Sequence, residues 1–260
     1  MKKVIRIVVL SAMLLWGGQA MSQTRGVVFL GAGLPMGDFG KFDNMNDLAL
    51  YSENESLTYG GAGLGFNAGL KWYYGVGAKG LSVLLSLDGF YNGPCSDLKT
   101  AYRSQESEAT FGGASVSLKY SSTPKYINVP LMLGLNYILR LNAQFGIYAE
   151  AGLGGNLRFI TAMESVAKGT IPVLGEAQIT TTQKYDHAFG FAWQVGAGFE
   201  VARNLVIGVS YYDLGSAIAK GDQTIKRKAL NDNVSNTDDN YRELGTVHPA
   251  ILALRLGFAF

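Results

Sequence analysis

Residues Ala188-Phe-Gly-Phe-Ala-Trp-Gln-Val-Gly-Ala-Gly-Phe-Glu200 place a large apolar or aromatic side chain at every second position. Successive side chains of an extended chain point to opposite faces. Phe189, Phe191, Trp193, Val195, Ala197 and Phe199 therefore share one face, opposite Gly190, Gln194, Gly196, Gly198 and Glu200. The same period of two recurs on both sides of this stretch. In 63–74, Leu64, Phe66, Ala68, Leu70, Trp72 and Tyr74 oppose Gly63, Gly65, Asn67, Gly69, Lys71 and Tyr73. Alternation also marks 81–91, 126–137, 145–153, 205–212 and 250–260, the last with Leu252, Leu254, Leu256, Phe258 and Phe260 on one face. Residues 26–34 are apolar on both faces, which leaves their orientation open. The pattern predicts eight strands.

Alternation alone does not say which face looks inward, because a soluble sandwich also alternates. The small-residue face decides it. Lys71, Asp88, Glu150 and Arg255 sit mid-strand on the face that is otherwise rich in Gly. Large apolar side chains facing lipid, with small and charged ones filling a narrow lumen, describe a transmembrane β-barrel. Aromatics gather towards the strand ends as interfacial girdles do. Trp72, Tyr74, Tyr137, Phe145, Phe199, Phe258 and Phe260 mark one edge, and Phe66, Tyr91, Phe189 and Tyr211 the other.

Composition narrows the class. Of 260 residues 48% are hydrophobic and only 16% charged, too apolar for a disordered chain. A formal charge of +2 argues against a nucleic-acid partner. The single cysteine, Cys95, rules out a disulfide scaffold and reads as an isolated thiol in a loop. Lys2, Lys3 and Arg6 precede the apolar run Ile7–Trp16, and Ala20-Met-Ser22 supplies small residues before Gln23. That is the pattern of a cleavable secretory signal peptide over 1–22, leaving 23–260 as the barrel domain. The run is too short for a membrane helix, which needs about 20 residues.

The connections sort by length. Residues 75–80, 138–143 and 201–204 are short turns, whereas 35–61, 92–124, 155–186 and 216–247 are long and polar. Short periplasmic turns alternating with long outer loops give an all-β, eight-stranded antiparallel up-and-down barrel with four outer loops. Parts of those loops, such as 111–120 and 177–185, also alternate, so the strands extend as hairpins beyond the membrane. Apolar residues there (Phe111, Val116, Tyr120, Ile171, Val173, Leu174, Ile179) would pack against one another or present a shallow binding surface.

Tyr126-Ile-Asn-Val-Pro-Leu131 resembles the strand signature of the PorT-like outer-membrane β-barrel family, and Tyr148-Ala-Glu-Ala-Gly152, Gly196-Ala-Gly-Phe-Glu200 and the terminal Phe260 resemble its later strands. The resemblance spans nearly all of 23–260. It implies an eight-stranded barrel of the OmpA/OmpX type in a Gram-negative outer membrane. One branch of that family is associated with a protein-secretion and gliding apparatus. His248 departs from the family pattern, which often starts the last strand with a small polar residue.

Candidate chemistry is sparse. Lys71, Asp88, Glu150, Glu200 and Arg255 are expected as a lumen network, either a proton or ion path or an interior salt-bridge filling. Pro130 is expected to bulge or kink its strand. His187 and His248 sit at loop–strand junctions. They are the weak candidates for the base of a lipid hydrolase, with Ser210 as a distant hydroxyl. Asp43–Asp47 and Asp232–Asn240 lack the spacing of a calcium loop and read as solvated tips. No cofactor or metal is expected. The leading expectation is a non-enzymatic barrel whose surface loops meet a surface protein, a glycan, or outer-membrane lipid and lipopolysaccharide. Its C-terminal strand ending at Phe260 would engage the barrel-assembly machinery. The alternatives are a lipid-modifying hydrolase and a narrow solute channel.

Overall fold

Every period-two segment becomes a strand, and backbone hydrogen bonds close the set on itself. The computed structural model describes residues 24–41, 60–76, 79–105, 108–111, 114–171, 175–229 and 235–260. The signal-peptide reading of 1–22, the Asp43–Asp47 stretch, Val173 and Leu174 lie outside the described residues. In chain order the elements are β1 (Thr24–Met36), β2 (Ala62–Gly75), β3 (Leu81–Pro94), α1 (Ser96–Gln105), β4 (Glu108–Phe111), β5 (Ala114–Ser122), β6 (Tyr126–Arg140) and β7 (Phe145–Ile160). There follow β8 (Met163–Ile171), β9 (Gly175–Gln183), β10 (Ala188–Val201), β11 (Leu205–Asp213), β12 (Ala217–Ala229), β13 (Ser235–Val247) and β14 (Ala250–Ala259).

Eight strands form a closed antiparallel barrel in the order β1-β14-β11-β10-β7-β6-β3-β2. The closing ladder pairs Val27 with Ala259 and continues to Met36 with Ala250. Closure removes every exposed edge, which a strand crossing lipid requires. The outward face is the apolar one: Leu64 is 70% exposed, Leu133 60% and Phe189 73%. In water such a band would be a severe aggregation hazard; against hydrocarbon it is the solvent-matched surface. The orientation of β1 is now fixed. Val27 and Phe29 are buried inside the barrel, while Val28, Leu30 and Leu34 face out.

The interior holds small and charged groups, Lys71, Asp88, Glu150 and Arg255 among them, and large apolar ones besides. Two apolar clusters occupy it. One holds Val27, Phe29, Tyr73, Leu84, Tyr148 and Val206 near the short turns; the other holds Phe90, Tyr126, Met132, Tyr212, Leu214 and Ile251 near the outer mouth. Inward glycines make room for these rings. A β-carbon at Gly208 would collide with the hydroxyl of Tyr148.

Pro130 neither bulges nor shifts its strand. The β6–β7 register runs unbroken from Tyr126↔Ile160 to Arg140↔Gly146, through Pro130↔Asn156. On the other side Leu87↔Leu131 and Phe90↔Asn128 keep one register across it. The ladder skips the missing donor and resumes in phase, because strands on both sides hold β6 in place.

Among the described residues, three of the outer connections form hairpins. The hairpins β4–β5, β8–β9 and β12–β13 pair edge to edge into a second, open sheet of six strands, in the order β13-β12-β9-β8-β5-β4. The expected extension of the strands takes this form. It departs from the expectation in two places. Ser235–Asn240, expected as part of a solvated tip, lies in β13. The connection after β3 holds the helix α1, whose Leu98 packs with Met163, Cys95 and Tyr120 against the outer sheet.

Candidate functional site

Two regions concentrate polar groups: a layer inside the barrel and the outer sheet. Inside, the apolar clusters flank buried ion pairs. Lys71 on β2 bonds Glu150 on β7, and both side chains are almost fully buried. Tyr73 donates to the other Glu150 oxygen at 3.3 Å, and Ser210 to the first at 3.5 Å. Arg255 on β14 lies 3.1 Å from Asp88 on β3. None of the Arg255 nitrogens makes an aligned hydrogen bond with a described residue, so this contact is a Coulombic pair. Its guanidinium is further held over the rings of Tyr212 at 4.7 Å, Phe90 at 5.6 Å and Phe29 at 5.7 Å. Ser86 and Tyr212 each donate to Asp88 at 3.1 Å.

Glu200 is set apart from these pairs. It bonds Arg25 and, at 2.6 Å, Arg140, near the short-turn end. Of the five residues expected as a lumen network, the structure thus brings together Lys71 with Glu150 and Asp88 with Arg255. The partners of Glu200 are two arginines that belong to no motif in the sequence. Glu150 and Arg255 are not partners of each other, and their strands are separated in the barrel by β10 and β11.

Arg158 is a buried cation that the alternation of 145–153 stops short of. It is 2% exposed, yet no described carboxylate pairs with it. Its two terminal nitrogens donate at 2.7 Å to the backbone carbonyls of Val247 and Gly215, and Nε to Asn128 at 3.4 Å. Those carbonyls belong to the base of the β12–β13 hairpin, so one buried cation ties the barrel wall to the outer sheet. The signal that could have found it is a longer period: the alternation of β7 continues past 153, with Asn156 and Arg158 inward and Leu157 outward.

The two histidines occupy separate surroundings. His187 packs edge-on against Phe159, with ring centroids 4.5 Å apart. It also lines an open cleft of about 400 Å³ with Asp186, Phe189, Ser216, Ile218 and Lys220, where the barrel meets the sheet. No hydrogen bond joins His187 to Ser216. His248 Nε2 lies 2.7 Å from Asp213 Oδ1, linking the start of β14 to the end of β11. Ser210 is buried in the lumen on Glu150, remote from both histidines. Nearby, Tyr241 of β13 donates at 2.9 Å to Asp186, a bond that holds its phenol above the ordinary tyrosine range. Burial pushes the phenol of Tyr185 up to about 12.

The outer sheet has two unlike faces. Met163, Gln183, Ala219, Gln223 and Val247 are buried on the face turned towards the barrel axis. On the opposite face the register aligns residues across the strands. One row runs Ser117, Lys168, Gln178, Lys228, and the next Lys119, Val166, Thr180, Lys226, Thr237.

No family model matches the chain, and no curated protein matches it. Solved structures do. OprG of Pseudomonas aeruginosa is 15% identical, with 92% of this chain and 97% of that chain covered and a TM-score of 0.39. Ail, the attachment invasion locus protein of Yersinia pestis, is 13% identical, with 92% and 99% covered and a TM-score of 0.34. Neisserial surface protein A is 10% identical, with 91% and 94% covered and a TM-score of 0.36. All three are eight-stranded outer-membrane β-barrels, the architecture that this chain's own ladders establish.

Proposed function

We propose that the protein is a non-enzymatic barrel of a Gram-negative outer membrane, PorT-like in the sense of the Tyr126–Leu131 resemblance, that holds a preformed outer sheet as a binding surface. Its partner class is a surface protein, a glycan or lipid. Export through a leader at 1–22 and assembly through the strand ending at Phe260 belong to the same reading.

The observation that carries it is the edge-to-edge pairing of three hairpins into one six-stranded sheet. Spanning the membrane needs only about 9–11 residues per strand, and nothing in that task requires the hairpins to pair with one another. Ordering them in advance lowers the entropic cost of binding a partner. The barrel below supports a scaffold role, since Phe29, Leu84, Phe90, Met132 and Ile251 fill its interior.

Replacing 161–187 by a five-residue turn tests the reading. It removes the centre of the outer sheet and spares the β7–β10 ladder from Arg158↔Ala188 to Phe145↔Val201. The variant is expected to insert and to keep heat-modifiable gel mobility while losing cell-surface partners recovered by crosslinking on intact cells. Full retention of those partners and of every growth phenotype would overturn the proposal.

A further inference from the structure

The outward rows of the outer sheet are basic and almost free of apolar groups. Lys168 and Lys228 stand in one row with Ser117 and Gln178 between and beside them; Lys119 and Lys226 stand in the next with Thr180 and Thr237. All four lysines are exposed, and none forms an ion pair with a described residue. Gln178 donates to Thr180 at 3.2 Å, which confirms that the two rows share a face. Strands lie about 4.8 Å apart and alternate residues about 6.8 Å. The four lysines are therefore rooted within roughly 16 Å of one another on one hydrogen-bonded sheet. Acidic residues flank the rows in the register: Glu164 and Asp239 stand one row closer to the barrel, Glu176 one row farther from it, and Glu108 is paired with Ser117 at the β4 end.

Resting on the reading of the outer sheet as a binding surface, we infer that this face binds an extended anionic polysaccharide. Lysines meet its carboxylate or sulfate groups, and Thr180, Gln178, Ser117 and Thr237 meet its hydroxyls. The chemistry selects this partner over others. A protein interface core wants aromatic or apolar anchors and is depleted in lysine, whereas Val166 is the only apolar side chain in these rows. Single-stranded nucleic acid wants aromatic platforms for its bases, and neither row has one. Lipid headgroups lie too low. On β12 the last exposed apolar outward residue is Ile218, and Lys226 follows eight residues later, about 26 Å along the strand. A polymer can bridge all four charges at once, and the gain in affinity comes from that multiplicity.

The test uses the full-length barrel in lipid nanodiscs with polygalacturonate and dextran sulfate as probes, neutral dextran as control, and a salt series. The variant is Lys119→Gln/Lys168→Gln/Lys226→Gln/Lys228→Gln; the comparison is Lys41→Gln/Lys125→Gln/Lys184→Gln, all exposed and outside the rows. Heat-modifiable mobility establishes that each variant is folded. Wild type is expected to bind at least one anionic polymer and not dextran. The quadruple variant should bind at least tenfold more weakly with a flatter salt dependence, and the comparison variant within twofold of wild type. Absence of binding by wild type, equal losses in the two variants, or lysine-dependent binding only to lipopolysaccharide vesicles would overturn the inference. Cell-surface partners that depend on 161–187 but survive the quadruple variant would overturn it while leaving the binding-surface reading intact.

Discussion

Replacing Asp88 by Asn should be among the most damaging single-atom changes in this barrel. Arg255 is 2% exposed and Asp88 1%. With the carboxylate neutralised, Arg255 keeps its charge but loses its counterion in a space that water does not reach. Breaking a buried pair on one side costs about 3–5 kcal/mol. Tyr212 and Ser86 would still find an amide oxygen, so the loss of their charge-assisted bonds adds little beyond that range. At about 1.4 kcal/mol per tenfold, the unfolding equilibrium moves by roughly 100-fold or more.

The double variant separates this account from mere local damage. Arg255→Met with Asp88→Asn removes both charges and leaves a flexible apolar chain among Phe29, Phe90 and Tyr212. Replacing a buried ion pair by apolar groups is often close to neutral. With the single change costing about 3–5 kcal/mol and the double change close to neutral, the cycle should return a coupling of at least about 3 kcal/mol, at or above the upper end for interacting residues. Glu150 has Lys71 as its own partner, so the cycle between Glu150→Gln and Arg255→Met should show a clearly smaller coupling. Urea unfolding from liposomes, followed by tryptophan fluorescence and gel mobility, measures both cycles. Additive energies for Asp88 and Arg255, or equal coupling in both cycles, would refute the pairing.

Leu254, 59% exposed on the lipid face and paired with Ala32 and Val209 in mid-strand, should tolerate Arg poorly; Leu254→Arg is expected to cost about 2–4 kcal/mol and to lower insertion yield into vesicles. Ala202 and Arg203 both hold positive φ, 51° and 64°, in the β10–β11 turn; Ala202→Gly should raise stability by up to about 1 kcal/mol in urea unfolding. Arg158→Met should leave the barrel folded but loosen the sheet above it, seen as faster amide exchange in β12 and β13 with β6 and β7 unchanged.

The barrel was legible because lipid imposes a simple code on the sequence. In the stretch Leu252–Phe260 each outward position is large and apolar, and the period of two survives without interruption. The interior was less legible because inward positions obey no such code. Phe29 and Leu84 are as apolar as any lipid-facing residue, and the strand 26–34 takes its orientation only from the closed ring, which turns Gly31 and Gly33 towards the barrel interior. Ion-pair partners were beyond reach for a different reason. Lys71 and Glu150 are 79 residues apart, and only closure of the ring brings β2 and β7 across from one another. Pro130 illustrates the opposite error: a local rule about the missing donor gave way to the two neighbouring ladders.

The outer sheet shows how a feature can be present in the sequence and still resist assembly from it. The hairpins were visible as alternation in 111–120 and 177–185, but pairing between hairpins depends on the order of the barrel strands that raise them. β3 and β6 flank one hairpin, β7 and β10 the next, β11 and β14 the third, and these pairs are neighbours round the barrel. The barrel thereby presents the hairpins to each other in sequence, and the loop-closure entropy of each pairing is already met by the strands beneath. The remaining edges are β13 and β4, and β13 is defended by composition: Asp238, Asp239, Arg242 and Glu243 place charges along a strand that would otherwise invite another chain. A sheet so anchored and so guarded is disposed to meet partners through its faces. The face carrying Lys119, Lys168, Lys226 and Lys228 offers them exposed cations and hydroxyls, whereas the opposite face buries Met163, Gln183 and Gln223 near its base.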